Sequence, residues 1–242
     1  MIIDELGVDK LICPICGNPK YLRSICSDNT FGGRIWSDSR HEYPMMLSHS
    51  TIQICNHCGH YFHIDNAKCE YVSEREVMCS LEKEARDAAD AGHPFDKQKG
   101  IDLYLKRLSE FKQGLQDAIV NRFGRLSLSQ LYDAYGDIVT DIAPAEQIQD
   151  YLLMYIWAYN EPHAVHDERT DAHACKCAMK LISILGESNP LTAELYRELG
   201  QFEKAIEICQ FLLTKSIEPD VVREIMVRAI RHDTAVFVVV ES

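Results

Sequence analysis

The sequence predicts a mostly helical α+β fold, in which a small antiparallel sheet is followed by an array of helices and then by one strand. Two copies of a Cys-x-x-Cys-Gly pattern lie before residue 60. Apolar residues recur at about every second position up to residue 70, and at every third or fourth position after it. The last residues are a run rich in β-branched side chains. These changes divide the chain into three predicted segments, residues 1–70, 71–233 and 234–242.

The two cysteine pairs predict a closed metal site. Cys13 and Cys16 form the first pair, Cys55 and Cys58 form the second, and a glycine follows each. Two intervening residues let both sulfurs face one ion, and the glycine permits the positive φ that turns the chain back beneath it. Four thiolates fill the tetrahedral shell of Zn²⁺, so the pattern predicts one structural zinc ion. Iron is the alternative metal, and four unliganded core cysteines are the alternative without a metal.

Strand-forming stretches around the two pairs predict a zinc ribbon in residues 1–70. The segment between the pairs, residues 17–54, is longer than the roughly 15–20 residues of a compact module, which indicates an insert. Three histidines near the second pair offer an alternative ligand, namely His57, His60 and His63. Three further cysteines have no partner at ligand spacing and are expected to be small buried hydrophobic residues. They are Cys26, Cys69 and Cys79.

The insert contains a candidate contact surface for a ligand or partner. Arg34, Trp36, Asp38 and Arg40 alternate with smaller residues, so on a strand they would share one face. This face can grip a peptide or a small ligand. In the structural alternative, Trp36 covers the zinc site or packs on the helices, with Arg34 and Asp38 paired beside it.

A longer pattern in the insert resembles a known family. The spacing Asn-Thr-x-Gly-x-Arg-x-Trp-Ser-Asp-x-Arg, followed by Pro-Met, stands between a first Cys-Pro-x-Cys and a second Cys-x-x-Cys-Gly. Over residues 11–65 the chain resembles uncharacterised bacterial zinc-ribbon proteins with a C-terminal tetratricopeptide-like region. The resemblance implies a fold and no function, and Asn56 departs from the proline usual in such turns. The matching residues are Asn29, Thr30, Gly32, Arg34, Trp36, Ser37, Asp38, Arg40, Pro44 and Met45.

After residue 70 the sequence predicts a series of helices. Capping boxes at Ser73 and Ser127 mark two helix starts. One helix ends near Gly124 and the next begins at Ser127, and their apolar stripes predict that this pair of helices packs together. The run from Tyr151 to Tyr159 is apolar almost all round, which predicts a central helix. The predicted helices cover residues 73–91, 101–123, 127–142, 145–160, 169–185, 190–213 as a helical pair, and 220–231.

Residues 190–213 match the pattern of a tetratricopeptide-like repeat. Ala193 and Ala205 let two helices approach, Tyr196 and Phe202 fill the space between them, and Gly200 makes the turn. One repeat is not stable alone, so degenerate helix pairs must flank it. Stacked pairs leave a concave face that usually holds a partner's peptide. The C-terminal strand needs a sheet edge, which predicts that it pairs with the ribbon sheet.

A second group of ligand-type residues lies between two predicted helices and at the start of the later one. A helix would place His173 and Cys177 on one face, which suggests a second metal site. The alternative is a solvated loop of histidines with cysteines in the core. The group consists of His163, His166, His173, Cys175 and Cys177.

Charge and composition favour some classes of function over others. A net charge of −12 disfavours binding to a phosphate backbone. The acidic start of the chain lacks the features of a secretion signal, and no apolar run reaches the length of a membrane span, so we expect a cytoplasmic location. Thiols rather than disulfides are expected there.

The sequence favours a non-catalytic, zinc-stabilised adaptor that binds a protein or peptide partner in the bacterial cytoplasm. No phosphate loop, nucleophile elbow or open-metal motif is present in the sequence. One alternative is a nucleic-acid-associated module of transcription or RNA machinery, whose phosphate contacts would be Arg23, Arg34 and Arg40. The other alternative is an enzyme with a site in the insert, whose residues would be Asp28, Asp38, His41 and Glu42.

Overall fold

The structure of the chain, a computed structural model, describes residues 7–24, 33–42, 50–91, 96–120 and 126–241. Within those residues the chain is mostly helical, with short antiparallel strands in its first third and one strand near its end. The strands are β1 (Gly7–Ile12), β2 (Pro19–Arg23), β3 (Arg34–Trp36), β4 (His41–Glu42), β5 (Ile52–Ile54), β6 (Tyr61–His63), β7 (Lys68–Ser73) and β8 (Val238–Glu241). The helices are α1 (Glu74–Asp90), α2 (Lys97–Val120), α3 (Leu128–Ile138), α4 (Ala145–Tyr159), α5 (Glu168–Leu185), α6 (Pro190–Glu198), α7 (Phe202–Thr214) and α8 (Pro219–Ile230).

The chain forms two compact units. The first comprises Met1–Asp28 and Leu47–Arg125, and the second comprises Asn29–Met46 and Leu126–Ser242. Part of the insert between the cysteine pairs therefore belongs to the unit that contains most of the helices. These units group the residues differently from the predicted segments, because residues 29–46 of the insert belong to the second unit and the first two helices belong to the first.

In its described residues the first unit has a three-stranded antiparallel sheet with a helical layer, and a separate two-stranded hairpin, β5-β6. The sheet has the order β2-β1-β7, with Val8 opposite Arg23 on one side and Val72 on the other. Helix α2 packs on β1 and β2, and α1 packs on α2. Val8, Val77, Phe111 and Ala118 form the buried core between these layers. The sheet and α1 thus cover the apolar face of α2. The sequence had predicted that this face packs against the helix that begins at Ser127.

The described residues of the second unit form a three-stranded sheet and six helices. The sheet has the order β4-β3-β8, with Ile35 opposite His41 on one side and Val240 on the other. The C-terminal strand thus pairs with a strand of the insert, in a sheet separate from those that carry the cysteine pairs. Helices α3 to α8 pack on their neighbours in the sequence, and α6 also contacts α8. Their largest fully buried side chains include Tyr151 and Tyr155 of α4.

Local sequence signals place the helices close to their predicted limits. Ser127 and Gln130 form the predicted capping box of α3, and Asp167 and Thr170 form another at α5. Asn189 caps α6, with proline at the first helical position. Within the described part of the chain, no helix combines the length and apolarity that a membrane crossing requires.

Candidate metal centre

The two cysteine pairs adopt the same backbone turn. We call residues 13–17 the first knuckle and residues 55–59 the second. In each knuckle the glycine N–H donates to the carbonyl of the leading cysteine, Cys13 or Cys55, at 2.9 Å. The glycines have φ values of 73° for Gly17 and 76° for Gly59. A positive φ is costly for residues with a Cβ, so the glycine after each pair has the role that its position in the sequence predicted.

Each knuckle closes an antiparallel hairpin. The first joins β1 to β2, and the second joins β5 to β6. In both, the N–H of the leading cysteine donates across the turn, to the carbonyl of Asn18 or of His60, at 2.9 Å. The hairpins thus hold their leading cysteines on hydrogen-bonded backbone.

The four thiols converge on one point. The Sγ atoms of Cys13 and Cys58 lie 3.9 Å apart, and those of Cys16 and Cys55 lie 3.6 Å apart. All four Sγ atoms lie within 4.8 Å of one another. A tetrahedron of thiolates about 2.3 Å from a central zinc has edges of about 3.8 Å, whereas a disulfide would need about 2.05 Å. The distances therefore fit four free thiols that can hold one metal ion.

Side chains of the first hairpin extend the site. The Nδ2 amide of Asn18 donates to the Cys16 sulfur at 3.4 Å, a contact that orients a ligand from behind. Lys20 is buried, and its Nζ donates to the carbonyl of Ile54 at 2.9 Å. This bond links the strand after the first knuckle to the strand before the second. Burial lowers the pKa of Lys20, and the negative charge of the Cys55 thiolate opposes that shift.

Two of the four thiols, Cys16 and Cys58, have pKa shifts in opposite directions. Hydrogen bonds from Asn18 lower the pKa of Cys16 to about 6. The hydrogen bond from the His60 backbone lowers the pKa of Cys58, but burial and the three neighbouring thiols raise it more. The net result is a pKa of about 12. One thiolate thus makes the next harder to form. A divalent cation removes this conflict, because it stabilises all four thiolates together.

The histidines beside the second knuckle lie outside the group. Among the residues that the structure describes, only the four cysteines form a set of three or more His, Cys, Asp or Glu side chains with converging ligand atoms. His57 and His60 are exposed. His63 is buried, and its Nδ1 accepts a hydrogen bond from the Asp65 backbone at 3.3 Å. This bond caps a short 3₁₀ turn at Ile64–Asn66.

The predicted second group does not converge on one point. His163 and His166 are exposed, and His166 stacks edge-on with Tyr159 at 4.5 Å. Cys175 is exposed, while Cys177 is fully buried. His173 is buried among tyrosine rings. Within the described residues the five side chains form no converging group, and the structural alternative describes His163, His166 and Cys177 but not the buried His173 or the exposed Cys175.

The candidate contact surface is only partly a strand. β3 ends at Trp36, because Ser39 takes a φ of 61° and the Trp36 N–H donates to the carbonyl of Arg40 at 2.9 Å. The chain therefore turns, and the predicted single face of four alternating residues is not formed. Arg34 is exposed, whereas Asp38 is fully buried and Arg40 is 8% exposed.

Asp38 and Arg40 have partners inside the second unit. Arg40 stacks on the Trp36 ring at 4.7 Å and pairs with Glu161 at 2.5 Å. The Asp38 carbonyl accepts from the indole N–H of Trp157 at 2.9 Å. The contact of Arg34, Trp36, Asp38 and Arg40 with a ligand or partner stays a prediction, but Trp36, Asp38 and Arg40 also make contacts inside the unit.

A buried polar network around Asp38 was not predicted from the sequence. The Asn160 amide donates to Asp38 at 3.2 Å and to Glu198 at 3.1 Å. The pKa of Glu198 is raised well above its usual range, chiefly by burial and next by the charge of Glu194. Glu194 in turn binds Arg197 through two bonds, of 2.8 and 2.6 Å, with both side chains fully buried. The sequence signal that could have indicated this network is the short helix α6, which carries charged residues at interior positions.

The remaining predicted residues are dispersed. Glu42 accepts from the Trp36 indole at 3.1 Å, and His41 is exposed. Cys69 and Cys79 are exposed, so the prediction that they are buried was wrong: β7 and α1 turn these side chains toward solvent. Several predicted residues lie outside the described ranges. They are Cys26, Asp28, Asn29, Thr30, Gly32, Pro44 and Met45.

We compared the chain with protein-family models, with curated protein sequences and with solved structures, and found no match in any of the three.

Proposed function

We propose that the chain is a non-catalytic adaptor of the bacterial cytoplasm, stabilised by one structural zinc ion, which binds a protein or peptide partner. The observation that carries this proposal is the way helices of the second unit hold residues 233–241: Arg197 of α6 binds the carbonyls of Asp233 and Ala235, and Arg228 of α8 lies over the Phe237 ring. Helices arranged to hold extended backbone are suited to a partner's peptide.

The zinc proposal is supported by the donor set and its size. Four sulfurs at tetrahedral spacing match the preference of Zn²⁺ for thiolate shells, and a filled shell leaves no position for a reactive water. The ion would therefore stabilise the knuckles. Iron is the alternative occupant of a four-thiolate shell.

Elemental analysis of the purified chain tests this assignment. We expect about one zinc per chain, and we expect Cys55→Ser to reduce it to near zero because a hydroxyl is a poor zinc ligand. Cys69→Ser is the matched control, since Cys69 is an exposed thiol outside the group. Iron in place of zinc, or an undiminished zinc content in the Cys55→Ser variant, would contradict the assignment.

A tetratricopeptide-like arrangement of α4 to α8 is supported by local features of α6 and α7. Gly200 turns between them at a φ of 72°, and Ala193 and Ala205 are fully buried where the helices approach. α6 contacts α7 and α8, as the first helix of a stacked pair does. In such an array, alternate helices line the concave face, and α4, α6 and α8 are alternate helices.

Among the residues that the structure describes, neither alternative function gains a specific contact in its favour. Arg40, one of the three suggested phosphate contacts, is buried and paired with Glu161. Asp38, one of the suggested catalytic residues, is fully buried and bound to Asn160. The nucleic-acid and enzyme interpretations therefore remain predictions of the sequence.

Affinity capture from bacterial cytoplasmic extract, followed by binding of each captured protein to the purified chain, tests the adaptor role. We expect a saturable complex that Trp36→Ala weakens at least tenfold, and that the exposed control Ile142→Ala leaves unchanged. A chain that forms no protein complex with purified components, or one retained by nucleic acid in a salt-dependent way, would favour a different function.

A further inference from the structure

The C-terminal segment, residues 233–241, occupies a site built by the helices of the second unit. Thr234 and Ala235 in this segment are exposed, but Phe237 is only 7% exposed. The guanidinium of Arg228 lies 4.2 Å from the centre of the Phe237 ring, and that of Arg197 lies 5.6 Å from it. The ring belongs to an apolar cluster that also contains Ala193, Ile208, Cys209, Leu212, Val222 and Ile225.

The backbone of this segment is bound through groups that any extended chain possesses. One Nη of Arg197 donates to the carbonyl of Asp233, and the other donates to that of Ala235 at 3.0 Å. The Ser37 N–H donates to the Phe237 carbonyl at 2.8 Å, and the Phe237 N–H donates to the Ser37 hydroxyl at 3.0 Å. β8 then continues as a strand beside β3. Added-strand pairing combined with a side-chain pocket is a common way to bind a peptide.

The side chains that make these contacts are fixed by other parts of the unit. Glu194 holds the Arg197 guanidinium with two hydrogen bonds, and both residues are fully buried. Arg228 is also paired with Glu224 on its own helix at 2.8 Å. A preorganised site loses less entropy when it binds a flexible chain. The site therefore does not depend on the C-terminal segment to orient its donors.

One acidic residue adds a charge preference. The Asp233 carboxylate accepts from Arg228 at 2.8 Å, and Asp233 lies four positions before Phe237. The features of the segment that the site contacts are thus an acidic residue, three backbone carbonyls, an aromatic ring and a β-branched strand.

We propose that this site, formed by Arg197, Arg228 and the edge of β3, is the peptide-binding site of the chain. Residues 233–241 occupy it in the structure and compete with the partner's peptide for it. The partner is an extended peptide with an acidic residue four positions before an aromatic residue, followed by β-branched residues. The inference rests on the proposed adaptor function and specifies its ligand. Displacement of the segment then controls access to the site.

Fluorescence anisotropy with a labelled peptide that copies residues 233–241 tests the proposal on the full chain. Phe237→Ala removes the ring of the resident segment and leaves Arg197, Arg228 and β3 in place. We expect this variant to bind the peptide at least tenfold more tightly than the wild-type chain does. A scrambled peptide and a peptide with Phe237→Ala are the controls, and both should bind at least tenfold more weakly.

A Phe237→Ala chain that keeps its helical circular dichroism but binds no peptide at millimolar concentration would overturn the proposal, as would equal binding of the scrambled peptide. If that variant does not fold, hydrogen exchange of the wild-type chain gives the answer. Excess peptide should accelerate exchange of the chain's own amides in residues 237–241, and unchanged exchange would overturn the proposal. If peptide binding fails while captured partners still bind, the adaptor function stands and this site assignment does not.

Discussion

At the scale of single residues, backbone conformation explains why glycine follows each cysteine pair and separates α6 from α7. Gly17, Gly59 and Gly200 all have φ between 70° and 80°, and an added Cβ at any of them would meet no atom within 4 Å. The requirement for glycine at these positions is therefore conformational and not a matter of space.

Gly200→Ala should destabilise the second unit by about 1–2 kcal/mol, the usual cost of a left-handed residue that carries a Cβ. Gly136→Ala is the matched control, because Gly136 lies inside α3 and its added Cβ would also meet no atom within 4 Å. That control should stabilise by about 0.5–1 kcal/mol, since alanine favours helices. Urea titration of both variants measures the difference, and equal effects would contradict this account.

His173 is a buried titratable residue whose surroundings favour its neutral form. Its ring lies 4.6 Å from the Tyr155 ring and 4.7 Å from the Tyr135 ring, and its Nε2 lies 3.2 Å from the Tyr151 hydroxyl. Burial lowers its pKa, and the positive charge of Lys176 lowers it further. Protonation would therefore place an unpaired charge inside a cluster of aromatic rings.

The second unit should therefore lose stability as the pH drops below about 6.5, which is the ordinary pKa of histidine in an unfolded chain. Because the folded-state pKa is lower, the unfolded chain binds the proton first, and the loss approaches about 1.4 kcal/mol per pH unit until the folded pKa is reached. His173→Gln keeps a neutral polar side chain and should remove this slope. Denaturant titrations at pH 7.5 and pH 5.5 measure it, with His163→Gln, an exposed histidine, as the control.

At the scale of elements, the close contact between α2 and the sheet fixes the core of the first unit. A Cβ built on Gly114 would lie 2.6 Å from the Tyr21 ring, so glycine there lets the helix approach β2. Tyr21 also packs against the buried cluster of Val8 and Phe111. The glycine sits inside a helix despite its low helix propensity because this approach requires it.

Gly114→Ala should destabilise the first unit by about 1–3 kcal/mol, because overpacking outweighs the gain in helix propensity. Gln116→Ala, an exposed change on the same helix, should stay within about 0.5 kcal/mol. Tyr21→Leu removes the ring, so the combined Tyr21→Leu and Gly114→Ala variant should be more stable than the sum of the two single effects allows. Additive effects in thermal unfolding would contradict the proposed contact.

Sequence features that act over a few residues predicted the structure correctly. The cysteine spacing, the glycines after each pair and the cap of α6 act within a few residues, and they predicted the sulfur cluster and the helix limits. The turn at residues 37–39 overrode the alternation from Arg34 to Arg40, although Ser-Asp-Ser is typical of turns. Partners distant in sequence, such as Asp38 with Asn160 or β3 with β8, leave no periodic signal, so the buried network was missed.

At the scale of the whole molecule, each unit has its own core and its own stabilising devices. The first unit combines the core around Val8 and Phe111 with the cysteine cluster, where Phe62 packs among the sulfurs. The second unit has an apolar cluster around Ile208 and Ile225, together with the buried pair of Glu194 and Arg197. A metal ion held by the cysteines would therefore act on the stability of the first unit.

Metal removal should unfold the knuckles and leave the second unit folded. The binding free energy of a structural metal is folding free energy for the turns that hold it, and four thiols without a cation resist joint ionisation. After treatment with a zinc chelator, we expect hydrogen exchange to accelerate in residues 7–24 and 50–73. Residues 145–230 should keep their protection, so most of the helical circular dichroism remains. Chelator presaturated with zinc is the control, and uniform loss of protection along the chain would show that the two units do not unfold separately.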